Sequence, residues 1–577
     1  MSRVWGFLAG LGLSLALILV VGWPALATVL EATRAVVRLE GALRQAGLTT
    51  QADALARWQG SESPTDSGAA LDPAGTAELL RENRGLARPV RLALETTGLV
   101  LATETLALPV GILLAILLFR TDLWGRRVLL ALVALVAFVP LPLHATAWLG
   151  ALGNAGRMQA LGVRPILVGR FGAAVVHAMA ALPWVVLLAG VGLCAVEPEL
   201  EESALLEFGP WHVLIRVTLR RAIGAIAAAA LAVAVLTAGD MTVTDLLQVR
   251  TYAEEAYVQF ILGRGLADAA VVALPPMVIL GLMIVIVGRS LSRLDPARLA
   301  SSFSQARTWR LGGWRIPGGV LLAALIGNIV AFPLYSLLWR AGRVGGRATL
   351  GRPPTWTLTG LLGTLQYAVG EIARPLIASL SWAALAATMT VGIASGLSWA
   401  GRRSRTWRWV MLATLVVALA TPGPVAGRAL VLAYRNWPEL YDSSAMVVMA
   451  QALRALPYVL LVLWPFVRSF PRDYLDAAAL DGHGPWGQMF RVVLPLSLRA
   501  LLAAWLVALA LGLGELPATD QVYPPGIEPM SVFLWGLLHT GVESHLAGVA
   551  LIMLAVIAMA GLAATVALSW LRGLATR

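Results

Sequence analysis

Lysine is absent: all 44 basic residues of the 577-residue chain are arginine. That removes two chemistries. A Walker A loop needs a lysine to reach the nucleotide phosphates, and Schiff-base catalysis needs a lysine amine. Cysteine is nearly absent as well. Cys194 alone excludes an intrachain disulfide and reads as a small buried hydrophobe at the end of an apolar run. The six histidines include no H-x-x-x-H or H-E-x-x-H pattern, so no tight metal site is indicated. No clustered Ser/His/Asp arrangement marks a membrane-embedded enzyme. Charge of either sign is scarce, at 13% of residues.

What is abundant is apolar sequence. The chain is 58% hydrophobic with mean hydropathy +0.77, the composition of an all-α polytopic membrane protein. Twelve apolar runs are long enough to cross a bilayer core of ~30 Å at ~1.5 Å per residue. They lie near 4–27, 92–119, 127–149, 170–194, 217–239, 268–289, 316–340, 373–399, 407–431, 445–467, 492–514 and 546–571. The first follows Arg3 and reads as an uncleaved helix, its apolar stretch being long for a signal peptide. The net charge of +12 reflects arginines collected in short loops, the positive-inside pattern, and not a nucleic-acid surface. Arg120, Arg126 and Arg127 lie in one such loop, Arg402, Arg403, Arg405 and Arg408 in another, and Arg289 with five more arginines at and within the linker 290–315. The stretch Glu515–Glu543 carries four acidic residues and no arginine. The first group is expected in the cytoplasm and the last outside, with both termini cytoplasmic. Residues 28–91 form a polar insertion on the outer side, with too few apolar residues for a core of its own.

The chain repeats itself. Residues 209–219 read GPWHVLIRVTL and 484–494 read GPWGQMFRVVL, 275 residues apart. Gly239-Asp240 aligns with Gly514-Glu515 and Thr244-Asp245 with Thr519-Asp520 at that offset. Ala181-Leu182-Pro183-Trp184 resembles Ala455-Leu456-Pro457-Tyr458, and at an offset of 285 Ala102-Thr103 and Arg120-Thr121 match Ala387-Thr388 and Arg405-Thr406. The expected architecture is two parallel pseudo-repeated six-helix halves, 1–289 and 316–577, joined by the linker 290–315, with a pathway between them.

Upstream of the repeated GPW lie Glu201-Glu202-Ser203-Ala204 and Asp476-Ala477-Ala478-Ala479. The second copy, D-A-A-A-L-D-G-x(11)-L-P from Asp476 to Pro495, resembles the EAA loop of ABC-importer permeases. The resemblance implies that loops near 197–216 and 470–491 dock a separate cytoplasmic ATPase through Glu201, Glu202, Ala204, Gly209, Pro210, Trp211, Asp476, Ala477, Ala478, Gly482, Gly484, Pro485 and Trp486. Alanines let such a helix lie close to a partner and a glycine lets the chain turn. The first copy departs from the pattern, with Glu207 in place of Gly482 and Arg220 in place of Pro495.

Nearly the whole chain outside 28–91 is similar to fused permeases of binding-protein-dependent ABC importers, type I architecture. The resemblance implies two copies of an ATPase holding ATP and Mg, a periplasmic substrate-binding protein, residence in a bacterial inner membrane and no cofactor in this chain. L-P-V-G-x-L-L-A at Leu108–Ala115, F-R-T-D-L at Phe119–Leu123 and T-D-L-L-Q-V-R-T-Y at Thr244–Tyr252 look most like the ferric-iron type. Thiamine, polyamine and sulfate permeases share much of that pattern. A secondary transporter has no reason to repeat an ATPase-docking loop.

Charged residues in apolar runs are the candidate substrate path. Glu104 is placed mid-helix, where an unpaired carboxylate costs about 2.5–3.5 kcal/mol, and Arg454 is the opposite charge it would meet. Asp240, Asp245, Glu515 and Asp520 end two helices on the outer side, a placement that suits a cation. His177 stands within a helix. Structural ion pairs and helix-end charges are the competing reading for each.

Overall fold

The computed structural model describes residues 13–24, 26–27, 87–154, 158, 162–261, 281–282, 308–345, 355–540 and 543–575. The expected helix at 268–289, most of the insertion 28–91 and most of the linker lie outside them. Among the described residues six helices are long and apolar enough to span a membrane, and three further bent pairs raise this to nine if each counts as one span.

Two of the expected spans are broken. The run at 127–149 divides into Arg126–Val136 and Leu141–Leu152, bent by 104°, and the run at 407–431 into Arg405–Ala420 and Gly423–Tyr434, bent by 112°. Both breaks carry Pro-x-Pro, at Pro140/Pro142 and Pro422/Pro424, 282 residues apart. Proline removes a backbone donor and clashes with the preceding turn, so each segment ends before it and a new helix starts behind it. A third bend, 80°, separates Pro485–Leu496 from Leu498–Gly514. The run at 373–399 is the apolar part of a longer helix, Leu358–Arg403, which at 1.5 Å per residue is about 69 Å long and outreaches the bilayer.

Each half is built on three helices. Ala87–Arg120 packs on Gly169–Cys194 and Leu219–Ala238; Leu358–Arg403 packs on Ser444–Ser469 and Leu498–Gly514. Small residues allow close approach: a Cβ on Gly111 would meet Val185 at 2.5 Å, and one on Gly190 would meet Phe119 at 2.3 Å. The halves also exchange helices. Leu13, Leu17, Val20 and Val21 pack in the second half's core with Trp382, Leu397 and Leu430, and Trp23 donates to the Ala433 carbonyl at 2.9 Å. Reciprocally, Leu322 and Ile326 of the helix Arg315–Ala341 pack in the first half's core with Leu118 and Leu129. The linker's end is stitched to the first half, Trp309 N donating to Arg120 O at 2.7 Å and Leu311 N to Asp122 Oδ1 at 2.9 Å.

The 285 offset does not survive. Buried positions Leu99, Thr103 and Ala107 recur as Trp382, Ala386 and Thr390, an offset of 283. A slip of two residues turns a helical face away by about 160°: Thr388 is exposed where Thr103 is fully buried. Likewise Arg405 is exposed and starts a new helix, and the pair Arg402-Arg403 stands at the helix end where Arg120 stands in the first half.

Candidate functional site

The two GPW loops have one architecture. Gly209 and Gly484 are extended at φ −68° and lead into Pro210 and Pro485 at the start of a helical turn, where a missing N–H costs little. Each turn then runs into a five-residue π-helical segment, Leu214–Thr218 and Met489–Val493. These coincide at the 275 offset, and so do the buried positions Val213/Gln488, Leu214/Met489 and Thr218/Val493. Before each turn lies a short helix, Pro198–Glu207 or Arg472–Leu480.

Arginines anchor both loops. In the first, fully buried Arg120 pairs with fully buried Glu201; Thr218 donates to Glu201 Oε1 at 2.6 Å, and Arg120 to the Leu193 carbonyl at 3.3 Å. In the second, Arg402 donates to the Val467 and Phe470 carbonyls at 2.6 and 3.0 Å, and Arg403 to Gln488 Oε1 at 3.2 Å. Both Arg120 and Arg402 thus occupy the carbonyl-rich end of a neighbouring long helix, where cations are favoured. Glu201 is therefore an internal strut rather than a docking group, while its counterpart Asp476 is exposed.

The outward faces of the loops carry large apolar side chains among charged ones. Leu206 is 89% exposed and Trp211 76%, and Leu480 is 90% exposed; Trp486 stacks on exposed Phe490 with centroids 6.3 Å apart. Glu202, Gly209, Pro210, Asp476, Ala477, Gly482 and Pro485 are exposed, Ala204 and Gly484 half-buried, and Ala478 buried beneath them. Gly482 has φ +81° and ends its helix, His483 N returning to Ala478 O at 2.9 Å. Glu207 does not face that demand, because the first loop leaves its helix through extended Phe208 at φ −128°.

The second constellation lies between the halves. A cavity of about 160 Å³ is lined by Glu104, Thr96, Thr97, Thr421, Gly239 and Arg454. A neighbouring one of about 150 Å³ has His177, Asp240, Arg454, Tyr458 and Glu515 in its walls. Arg454 and Gly239 belong to both. The Pro-x-Pro breaks shape these spaces: Pro140 packs against Gly514 and Pro517 against Gly423.

Most of the charges are spoken for. Asp240 accepts from Thr242 N at 3.0 Å and Val243 N at 2.9 Å and meets His177 Nε2 at 3.1 Å, so it caps the following turn. Glu515 accepts from Ala518 N at 2.8 Å and lies 4.0 Å from Arg454 Nε. Arg454 donates to the Thr421 carbonyl at 2.7 Å, so it turns to Glu515 and Thr421 rather than pairing with Glu104. Glu104 has no hydrogen-bond or ion-pair partner among the described residues. Asp245 meets His539 at 3.1 Å, and Asp520 accepts from Tyr257. Burial raises the Asp520 carboxyl. Burial first, then the Asp520 charge, pushes Tyr257 up to about 12. Among the described residues no group of three or more His, Cys, Asp or Glu is arranged to hold a metal ion. Sequence reasoning missed Arg402, Gln488, Tyr257 and His539, and also the Pro-x-Pro pair, a repeat that marks the cavity as the Gly239-Asp240 and Gly514-Glu515 pair does.

Residues 389–577 match the model of the binding-protein-dependent transport system inner membrane component. The fold is that of an all-α type I ABC importer permease. Among curated relatives, a putative 2-aminoethylphosphonate transport system permease protein of Salmonella typhimurium is 24% identical over 193 residues, 30% of this chain and 71% of the relative. A spermidine/putrescine transport system permease protein homolog of Mycoplasma pneumoniae is 25% identical over 162 residues, 27% of this chain and 57% of the relative. A putrescine transport system permease protein of Escherichia coli is 24% identical over 154 residues, 26% and 54%. The relatives named are permease proteins of transport systems.

Proposed function

We propose that this chain supplies both permease halves of an ATP-driven importer, with one ATPase copy docked on each GPW loop at the cytoplasmic face and a substrate-binding protein delivering at the other. The observation that carries it is the duplicated loop. Two copies share a turn, a π-helical segment and an arginine anchor on a neighbouring helix end, and each exposes large apolar side chains that nothing among the described residues covers. Exposed apolar patches of this kind mark protein interfaces. ATP-driven closure of the partners would move both loops, and the loops would move the halves around the cavity.

The solute that fits is a small amine-bearing organic molecule. The relatives named above are described for 2-aminoethylphosphonate and for polyamines, and three carboxylates line the inter-half spaces. The stretches that resemble ferric-iron permeases are occupied elsewhere: Arg120 and Asp122 hold the first loop and the linker, and Asp245 holds His539. They do not speak for iron as the solute. The test is crosslinking from Trp211→Cys and, separately, Leu480→Cys in native membranes. Each should capture an ABC ATPase. Capture from neither position removes the importer reading, and capture from one alone removes the two-site arrangement.

A further inference from the structure

Glu104 and Arg454 stand on opposite halves and line one cavity of about 160 Å³. That volume is an order of magnitude above the ~10–15 Å³ that admits a water. Every other carboxylate in the inter-half spaces is already satisfied: Asp240 by two backbone N–H groups and His177, Glu515 by Ala518 N and Arg454. Glu104 alone lacks a partner among the described residues, and it stands half-buried in the middle of its helix, where an uncompensated carboxylate is costly. Arg454 is only partly used. Its Nη1 donates to Thr421 O, while its Nε makes no hydrogen bond and sits at the 4.0 Å limit from Glu515.

We propose that Glu104 and Arg454 form a two-pole recognition site for a zwitterionic solute, Glu104 taking its ammonium group and Arg454 its anionic group. A bare cation would meet Arg454 as a repulsive charge, and a simple anion would meet Glu104. A molecule carrying both charges gives each half-buried pole a counter-charge. Thr96, Thr97 and Thr421 line the same cavity. The inference rests on the permease reading only in taking this cavity as the solute path.

Saturation-transfer NMR on the full chain in lipid nanodiscs, with 2-aminoethylphosphonate, ethylamine and ethylphosphonate as probes, tests it at millimolar ligand. The wild type should bind the zwitterion at least about tenfold more tightly than either single-charge probe, the scale of one charge-assisted contact. Glu104→Gln should lose the zwitterion and ethylamine together. Arg454→Gln should lose the gain from the phosphonate while ethylamine binding persists. Glu104→Asp and Arg454→Lys keep the charges and should recover binding, which separates recognition from misfolding. Equal binding of zwitterion and ethylamine, no binding of the zwitterion, or variants that bind like the wild type would each overturn the proposal. The crosslinking at positions 211 and 480 reports on the importer reading separately, since the loops do not touch this cavity.

Discussion

Replacing Glu201 by Gln should open the first loop without changing its shape. Gln keeps an oxygen for the Thr218 hydroxyl, now 2.6 Å from Glu201 Oε1, but offers no charge to Arg120. Arg120 is fully buried, and its remaining contact is the Leu193 carbonyl at 3.3 Å. Removing one member of a buried ion pair costs about 3–5 kcal/mol, because the other charge is stranded. The helix Pro198–Glu207 is short and touches the bundle through few side chains, so the loss falls on its local opening. At 1.4 kcal/mol per tenfold, amides of 198–218 should exchange about 10²- to 10^3.5-fold faster. Hydrogen exchange of the full chain in nanodiscs reads this directly, with 472–493 as internal reference. Removing both charges, Arg120→Met with Glu201→Leu, should restore most of the protection, more so with Thr218→Val, since apolar replacements of a whole pair are often neutral. Unchanged exchange in Glu201→Gln, or a double variant as open as the single one, would refute the stranded-charge argument.

Gly482→Ala should destabilise the second loop by about 1–2 kcal/mol through backbone conformation alone, since φ is +81° and an added Cβ has nothing within 4 Å; a melting curve checks it, with Gly209→Ala as the neutral control. Gly190→Ala should cost about 1–3 kcal/mol by overpacking, as its Cβ would lie 2.3 Å from the Phe119 ring, and an unchanged melting temperature would contradict the close helix contact. Tyr257 binds its proton more tightly folded than unfolded, about 12 against an ordinary value near 10. Its contribution is therefore intact below pH ~10 and is lost as pH rises toward 12. Tyr257→Phe should flatten that alkaline decline, followed by tryptophan fluorescence.

The long helices and the loop pair were legible because their signals are local. A 20-residue apolar run has one solution in lipid, and GPW is rare enough that an ungapped repeat fixes its own register. The Ala/Thr match at 285 failed for the opposite reason. Alanine, threonine and leucine are so common in these helices that identity over three or four positions carries little register information, whereas the spacing of buried positions does. The Pro-x-Pro breaks were readable in principle, but hydropathy averages across them and reports one span where the backbone turns by more than 100°. The charged cavity was half legible. Sequence marked Glu104, Asp240, Arg454 and Glu515 as unusual but not which would be consumed by the fold. Asp240 is consumed because it precedes the helical turn Thr242–Leu246, whose first N–H groups lack an intrahelical partner. Glu515 is consumed because Arg454, one turn before Pro457, projects to the same end of the second half. In the first half the residue matching Arg454 is Ala180, with His177 one turn earlier facing Asp240. The two halves thus satisfy equivalent carboxylates with different partners, and that asymmetry leaves Arg454 lining one cavity with Glu104, a carboxylate without a partner among the described residues.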